Sequence, residues 1–173
     1  MKLLRYIGVL AAVLLAPLPA LAKTAWVSNT GDEETQNWCR YPSEAVWQAD
    51  PAEDAASIAW TNGSAEVRLS SADPGGDWMV HDTYVFHGNG HAELSRIYNT
   101  FFFGEISLEE DWKFDGNRWQ RTRRAMFGLS GKKPSADDGT VKNPIEKYRS
   151  LSAFPFYPLL ASETVAKKIC LSS

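Results

Sequence analysis

The fold is decided by residues 78–128, WMVHDTYVFHGNGHAELSRIYNTFFFGEISLEEDWKFDGNRWQRTRRAMFG, which read as two consecutive β-hairpins. The first spans Trp78 to Phe103 and turns at His87-Gly88-Asn89-Gly90-His91, where glycine supplies the positive φ of a tight connection. A three-residue loop pairs Phe86 with Ala92, Val85 with Glu93, Tyr84 with Leu94, Asp82 with Arg96 and Val80 with Tyr98. That register gathers Val80, Tyr84, Phe86, Ala92, Leu94 and Tyr98 on one face. A slip of one residue would set Phe86 against Glu93 and expose half the apolar set.

The second hairpin, Glu105 to Gly128, turns at Asp115-Gly116-Asn117-Arg118 with a loop of two or four residues. Either length places Leu108, Trp112, Phe114 and Trp119 on one face. It also lays the acidic Glu109, Glu110 and Asp111 beside the basic Arg121, Arg123 and Arg124, so these charges are expected to pair within the sheet.

Working outward, Asn62-Gly63 is the strongest short turn signal in the chain. It pairs Trp60 with Ala65, Ile58 with Val67 and Ala56 with Leu69, with Glu66 and Arg68 on the opposite face. Three hairpins in succession make an antiparallel meander. The expected fold is therefore mainly β, about six strands closed as a barrel or stacked as a sandwich. Lys23 to Ser28 reads as an edge strand, and a short helix opens at Ser43. Asp50-Pro51-Ala52-Glu53 has the pattern of a second, brief helix start. Phe101-Phe102-Phe103 suits a strand covered on both faces, and Ala153 to Leu160 an extended apolar segment that must pack on something. Ser162 to Cys170 fits a short C-terminal helix with Val165 and Ile169 on one side and Lys167 and Lys168 near its end.

The first 22 residues have the build of a secretory signal: Lys2 and Arg5, an apolar run from Ile7 to Leu15, then Ala20-Leu21-Ala22 before a mature chain beginning at Lys23. The apolar run is shorter than the roughly 20 residues of a membrane span, so no transmembrane segment is expected. Residues 23–173 then form a single β-rich domain, periplasmic or secreted. Without Lys2 and Arg5 the chain has 16 Lys plus Arg against 21 Asp plus Glu, a formal charge of −5, which disfavours nucleic acid as a partner. Cys39 and Cys170, an even pair in an oxidising compartment, are expected to form a disulfide.

Candidate chemistry is sparse. The three histidines, His81, His87 and His91, fall on one hairpin. His87 and His91 face each other across its turn with Cβ atoms about 4.5–5.5 Å apart, near enough for one zinc or copper ion with Glu93 as a third ligand. The competing reading is ordinary polar decoration of a turn. Arg118, Arg121, Arg123 and Arg124 are a candidate binding cluster for phosphate, an envelope polymer or an acidic protein surface. The competing reading is local pairing with the acidic strand. No Gly-x-Ser-x-Gly elbow is present and the cysteines are committed to a bridge, so nucleophilic hydrolysis has no visible apparatus.

These features favour a non-catalytic exported binding protein of inhibitor or immunity type, acting on a protein or cell-envelope ligand. The loops Asn29–Asn37, Ser70–Asp77 and Ser130–Asn143 are its display surfaces. The alternative is a metal-dependent enzyme at the histidine hairpin, or a carrier holding a small ligand inside a barrel.

Overall fold

The computed structural model describes residues 23–31, 35–50, 52–101, 105–129 and 147–171. Among the described residues nine strands form one antiparallel sheet: β1 (Lys23–Asn29), β2 (Trp38–Tyr41), β3 (Asp54–Thr61), β4 (Ser64–Ala72), β5 (Trp78–His87), β6 (Ala92–Thr100), β7 (Ile106–Phe114), β8 (Trp119–Gly128) and β9 (Ile169–Cys170). A short helix, α1 (Glu44–Gln48), lies between β2 and β3. The strand order is β8-β7-β6-β5-β4-β3-β1-β2-β9, an open sheet rather than the expected barrel or sandwich.

The meander from β3 to β8 is the six-strand core expected from the alternation. Its hairpin registers are Trp60 with Ala65, Ile58 with Val67, Tyr84 with Leu94 and Asp82 with Arg96, as read. The last pair of the third hairpin is Phe114 with Trp119, so its loop is the four residues Asp115 to Arg118. At the β3–β4 turn Gly63 has φ +84, a left-handed backbone that a Cβ disfavours although nothing crowds it. Gly63→Ala is expected to cost roughly 1 kcal/mol in urea unfolding. A neutral result would mean that the turn is not held in this conformation.

Three strands lie outside that meander, and each corrects an expectation. β1 is not an edge: it pairs β3 on one side and β2 on the other. β2 is four residues long and wholly buried. It shows no alternation because both of its faces are covered. On the outer face Trp47 of α1 donates its indole N–H to Ser28 Oγ (2.8 Å), and Tyr41 donates its hydroxyl to Asp50 (2.8 Å). The C-terminal segment covers the inner face. α1 opens where expected, with the Ser43 hydroxyl accepting from Val46 N, but residues 52 and 53 are not helical and lead directly into β3.

The expected C-terminal helix is absent. Residues 162–168 are irregular, and Ile169–Cys170 pair with β2, Cys39 opposite Cys170 and Arg40 opposite Ile169. Those two opposed residues carry the expected disulfide, joined across a sequence separation of 131. Helical spacing of Val165 and Ile169 was outweighed by the open edge of β2, whose unpaired backbone groups β9 satisfies. Phe101 is exposed and outside any strand; Phe102 and Phe103 lie outside the described residues. So do the expected signal segment and the whole of the expected Ser130–Asn143 loop.

Residues 147–168 form a strap across one face of the sheet, running from β7 to β2. Lys147 lies over the Trp112 ring on β7, Phe154 stands edge-on to Tyr84 and Phe86 on β5, and Phe156 packs on Trp38 of β2 at 4.9 Å. Two 3-10 turns, Leu151–Ala153 and Tyr157–Ala161, replace the expected extended conformation. Arg40 on β2, itself buried, donates to the carbonyls of Leu159, Ser162 and Glu163, which are thereby satisfied without a backbone ladder. Under this strap Ala25, Val27, Ile58, Val67, Tyr84, Leu94, Phe154, Phe156, Leu159 and Leu160 form the core, with Trp60 and Trp112 packed at its margin.

Candidate functional site

Register places a row of charges in the middle of the covered face. Asp82 on β5 lies opposite Arg96 on β6, Arg96 opposite Glu110 on β7, and Glu110 opposite Arg124 on β8. The signs alternate across four strands, between an apolar row of Val67, Tyr84, Leu94 and Trp112 and another of Val80, Tyr98, Leu108 and Met126. Asp82, Arg96 and Glu110 are 2%, 1% and 4% exposed. Arg96 grips Asp82 with two parallel bonds, Nε to Oδ1 and Nη2 to Oδ2, each 2.6 Å. Such a fork is the geometry that compensates two desolvated charges best.

A β-bulge between Asp111 and Trp112 governs the far end of this row. Asp111 pairs with Arg123 and Trp112 with Arg121, leaving Thr122 as the extra residue, its hydroxyl on the Asp111 carbonyl at 3.1 Å. Without the bulge, Arg121 and Arg124, three residues apart, would face opposite sides. With it, both reach Glu110 Oε1, at 2.9 and 3.0 Å. Arg123 points to the other face and bridges Glu109 and Asp111 at 2.8 and 3.6 Å. Arg118 sits in the turn, where its backbone N–H, with that of Asn117, caps Asp115 and holds that carboxyl below its ordinary range. The four arginines of the candidate cluster are therefore divided between two faces and a turn.

Lys147 completes the inner cluster. Its ammonium lies 4.0 Å from the centre of the Trp112 ring, and Arg121 lies 5.4 Å from the same centre. Burial, then repulsion from Arg96, lowers the Lys147 pKa. The Tyr84 hydroxyl lies 3.4 Å from Asp82 Oδ2, and burial, reinforced by the Asp82 charge, raises its pKa well above the ordinary value of 10.0. A raised pKa contributes stability that is complete below about pH 10 and lost as the pH climbs through the folded value. Between about pH 9 and pH 11 the wild-type chain is thus expected to lose stability more steeply than Tyr84→Phe in urea titrations; equal slopes would mean the phenol ionises freely.

The histidine hairpin forms as read. His87 N donates to His91 O at 2.9 Å across the turn, and His87 Nε2 lies 4.0 Å from Glu93 Oε1. His81 is six residues earlier on β5, about 20 Å away along an extended strand, so the three rings do not converge. Among the described residues no three His, Cys, Asp or Glu side chains are gathered to hold a metal ion.

Two of the expected display loops meet at one end of the sheet. Residues 29–31 and 35–37 of one loop, with Ala72, Asp73, Pro74 and Trp78 of the other and Asp50, Ala52, Glu53 and Asp54, line an open groove of about 1400 Å³. The described residues of both loops are fastened by hydrogen bonds. Asn29 Oδ1 accepts from Gly31 N and Asn37 N (3.1 and 2.8 Å), and Asp73 O accepts from Gly76 N at 2.8 Å while Asp73 N donates to Trp78 O. The described lining carries Asp50, Glu53, Asp54 and Asp73, with no lysine or arginine. Lys168 and Tyr41 both donate to Asp50, in that order of importance, which keeps it ionised below the usual carboxylate range. Sequence reading picked out the loops but not the contribution of Asp50, Ala52, Glu53 and Asp54, which the β1–β3 pairing brings alongside.

No protein-family model, curated protein or solved structure matches the chain. Among the described residues no helix is long and apolar enough to cross a membrane.

Proposed function

We propose that the protein is an exported, non-catalytic binding protein, of the inhibitor or immunity type, that engages a basic protein or envelope partner through the groove between its β1–β2 and β4–β5 loops. The observation that carries this reading is the convergence of two loops, their described residues fastened by hydrogen bonds, on a disulfide-tied sheet around a groove whose described lining charges are all negative. A negative concave surface attracts cationic partners and speeds their encounter. Fastened loops lose little entropy on binding.

The test uses immobilised chain 23–173 and envelope extract, with a second column carrying Glu53→Lys and Asp73→Asn. The second change keeps an acceptor oxygen for the loop. A partner retained by the wild-type column at physiological salt, and lost from the variant whose circular dichroism is unchanged, supports the reading. Equal retention by both columns removes the groove. Metal-dependent turnover of a generic ester or glycoside panel would replace binding with catalysis.

A further inference from the structure

We propose that Asn62 is a site of spontaneous deamidation, in which its carboxamide closes on the Gly63 amide nitrogen and water completes the exchange. The site lies at the β3–β4 turn, at the other end of β3 from the groove, and shares none of the groove's residues.

Asn-Gly is the dipeptide in which this reaction meets least hindrance, because glycine sets no Cβ beside the attacking nitrogen. The chain contains it twice, at Asn62-Gly63 and at Asn89-Gly90. Both pairs are exposed, and both glycines have a positive φ, +84 and +82. Nothing stands within 4 Å of the place a Cβ would take at either glycine. Access and crowding therefore do not separate the two.

Hydrogen bonding does. At the β5–β6 turn both reacting groups are engaged: Asn89 Oδ1 accepts from His91 N at 3.1 Å, and Gly90 N donates to His87 O at 3.1 Å. The amide that would attack and the carboxamide that would be attacked are each held elsewhere. At the β3–β4 turn neither is. Among the described residues the Asn62 carboxamide has no hydrogen-bond partner and the Gly63 N–H has no acceptor. That turn is fastened around them instead, by Thr61 Oγ1 against Ser64 Oγ at 2.6 Å and by Gly88 N donating to Gly63 O at 2.9 Å. One Asn-Gly thus keeps its nucleophile and electrophile free, while the other has both tied.

The steps balance without an oxidant or a reductant. Gly63 N gives up its proton to solvent and bonds to Asn62 Cγ. The carboxamide nitrogen leaves as ammonia and a cyclic imide remains. Water then opens the ring at either carbonyl, breaking a C–N bond and yielding aspartate or isoaspartate. Water enters and ammonia departs, so an uncharged side chain at the turn becomes a carboxylate. In isoaspartate the backbone also runs through an additional methylene, which lengthens a two-residue turn and displaces the Gly63 carbonyl from Gly88 N.

The test incubates folded chain 23–173 at physiological temperature and mildly alkaline pH, and follows the Asn62 and Asn89 peptides over time by digestion and mass spectrometry. Expected is replacement of the side-chain amino group by hydroxyl at Asn62 about tenfold faster than at Asn89, where two hydrogen bonds must break first. In urea, with both turns lost, the two rates are expected to converge. Isoaspartate should appear at position 62 together with aspartate, and amide exchange at Gly88 should accelerate as it accumulates. Asn62→Gln should remove the fast phase with circular dichroism unchanged. Equal rates at the two sites in the folded chain, or a faster reaction at Asn89, would overturn the assignment. So would an Asn62 that stays intact when folded while the unfolded chain reacts, or a fast phase that persists in Asn62→Gln.

Discussion

Arg96→Met is expected to destabilise the protein by about 3–5 kcal/mol, the usual cost of removing one partner from a buried ion pair. The reason is position. Arg96 is 1% exposed and its guanidinium is the fork on Asp82, which is 2% exposed, so truncation strands a carboxylate that water cannot reach. For a chain of this length each kcal/mol corresponds to roughly 2–4 °C in melting temperature. Asp82→Leu added to Arg96→Met is expected to restore much of the loss, because Leu69 lies across from position 82 and Glu110 still holds Arg121 and Arg124. Urea unfolding of the three chains decides the matter. A loss below about 1 kcal/mol in Arg96→Met would place the pair in water.

The second large effect concerns the strap. Replacing both Cys39 and Cys170 by serine opens a link across 131 residues, which on the chain-entropy view is worth about 4–5 kcal/mol. The consequence should also be local. β9 is two residues long, and the strap otherwise holds to β2 through Arg40 and through packed rings. In the double variant, amide exchange is expected to accelerate first in the strap, at Tyr157 and Leu159, while β4 to β7 stay protected. Uniform acceleration would mean that strap and sheet open as one unit. Intact mass rising by about 2 Da under reductant checks the bridge itself.

The hairpins were legible because each of their strands has one wet and one dry face, so alternation and turn chemistry at Asn62-Gly63 and at His87 to His91 agreed. β2 was not, since a strand buried on both sides has no period to read. β9 was not, since two residues carry no pattern and its pairing is settled by a partner 131 positions away. Pairing of the acidic and basic strands could be anticipated, but the bulge that turns both Arg121 and Arg124 inward depends on one extra residue, Thr122, that nothing in the local sequence marks. Lys147 resembles any surface lysine in sequence until the folded chain sets it over Trp112. The groove was half visible, as loops, while its acidic wall at Asp50, Glu53 and Asp54 is brought alongside by the pairing of β3 with β1.

The fold is a nine-stranded open sheet among the described residues, with β1 in its interior and a strap across one face. Interstrand backbone NOEs on labelled chain 23–173 test this most directly. Contacts of Val27 with both Ala56 and Arg40, of Arg40 with Ile169, and of Glu110 with both Arg96 and Arg124 are expected. NOEs joining β8 to β9, which would close the sheet into a barrel, or a β1 with contacts on only one side, would contradict it.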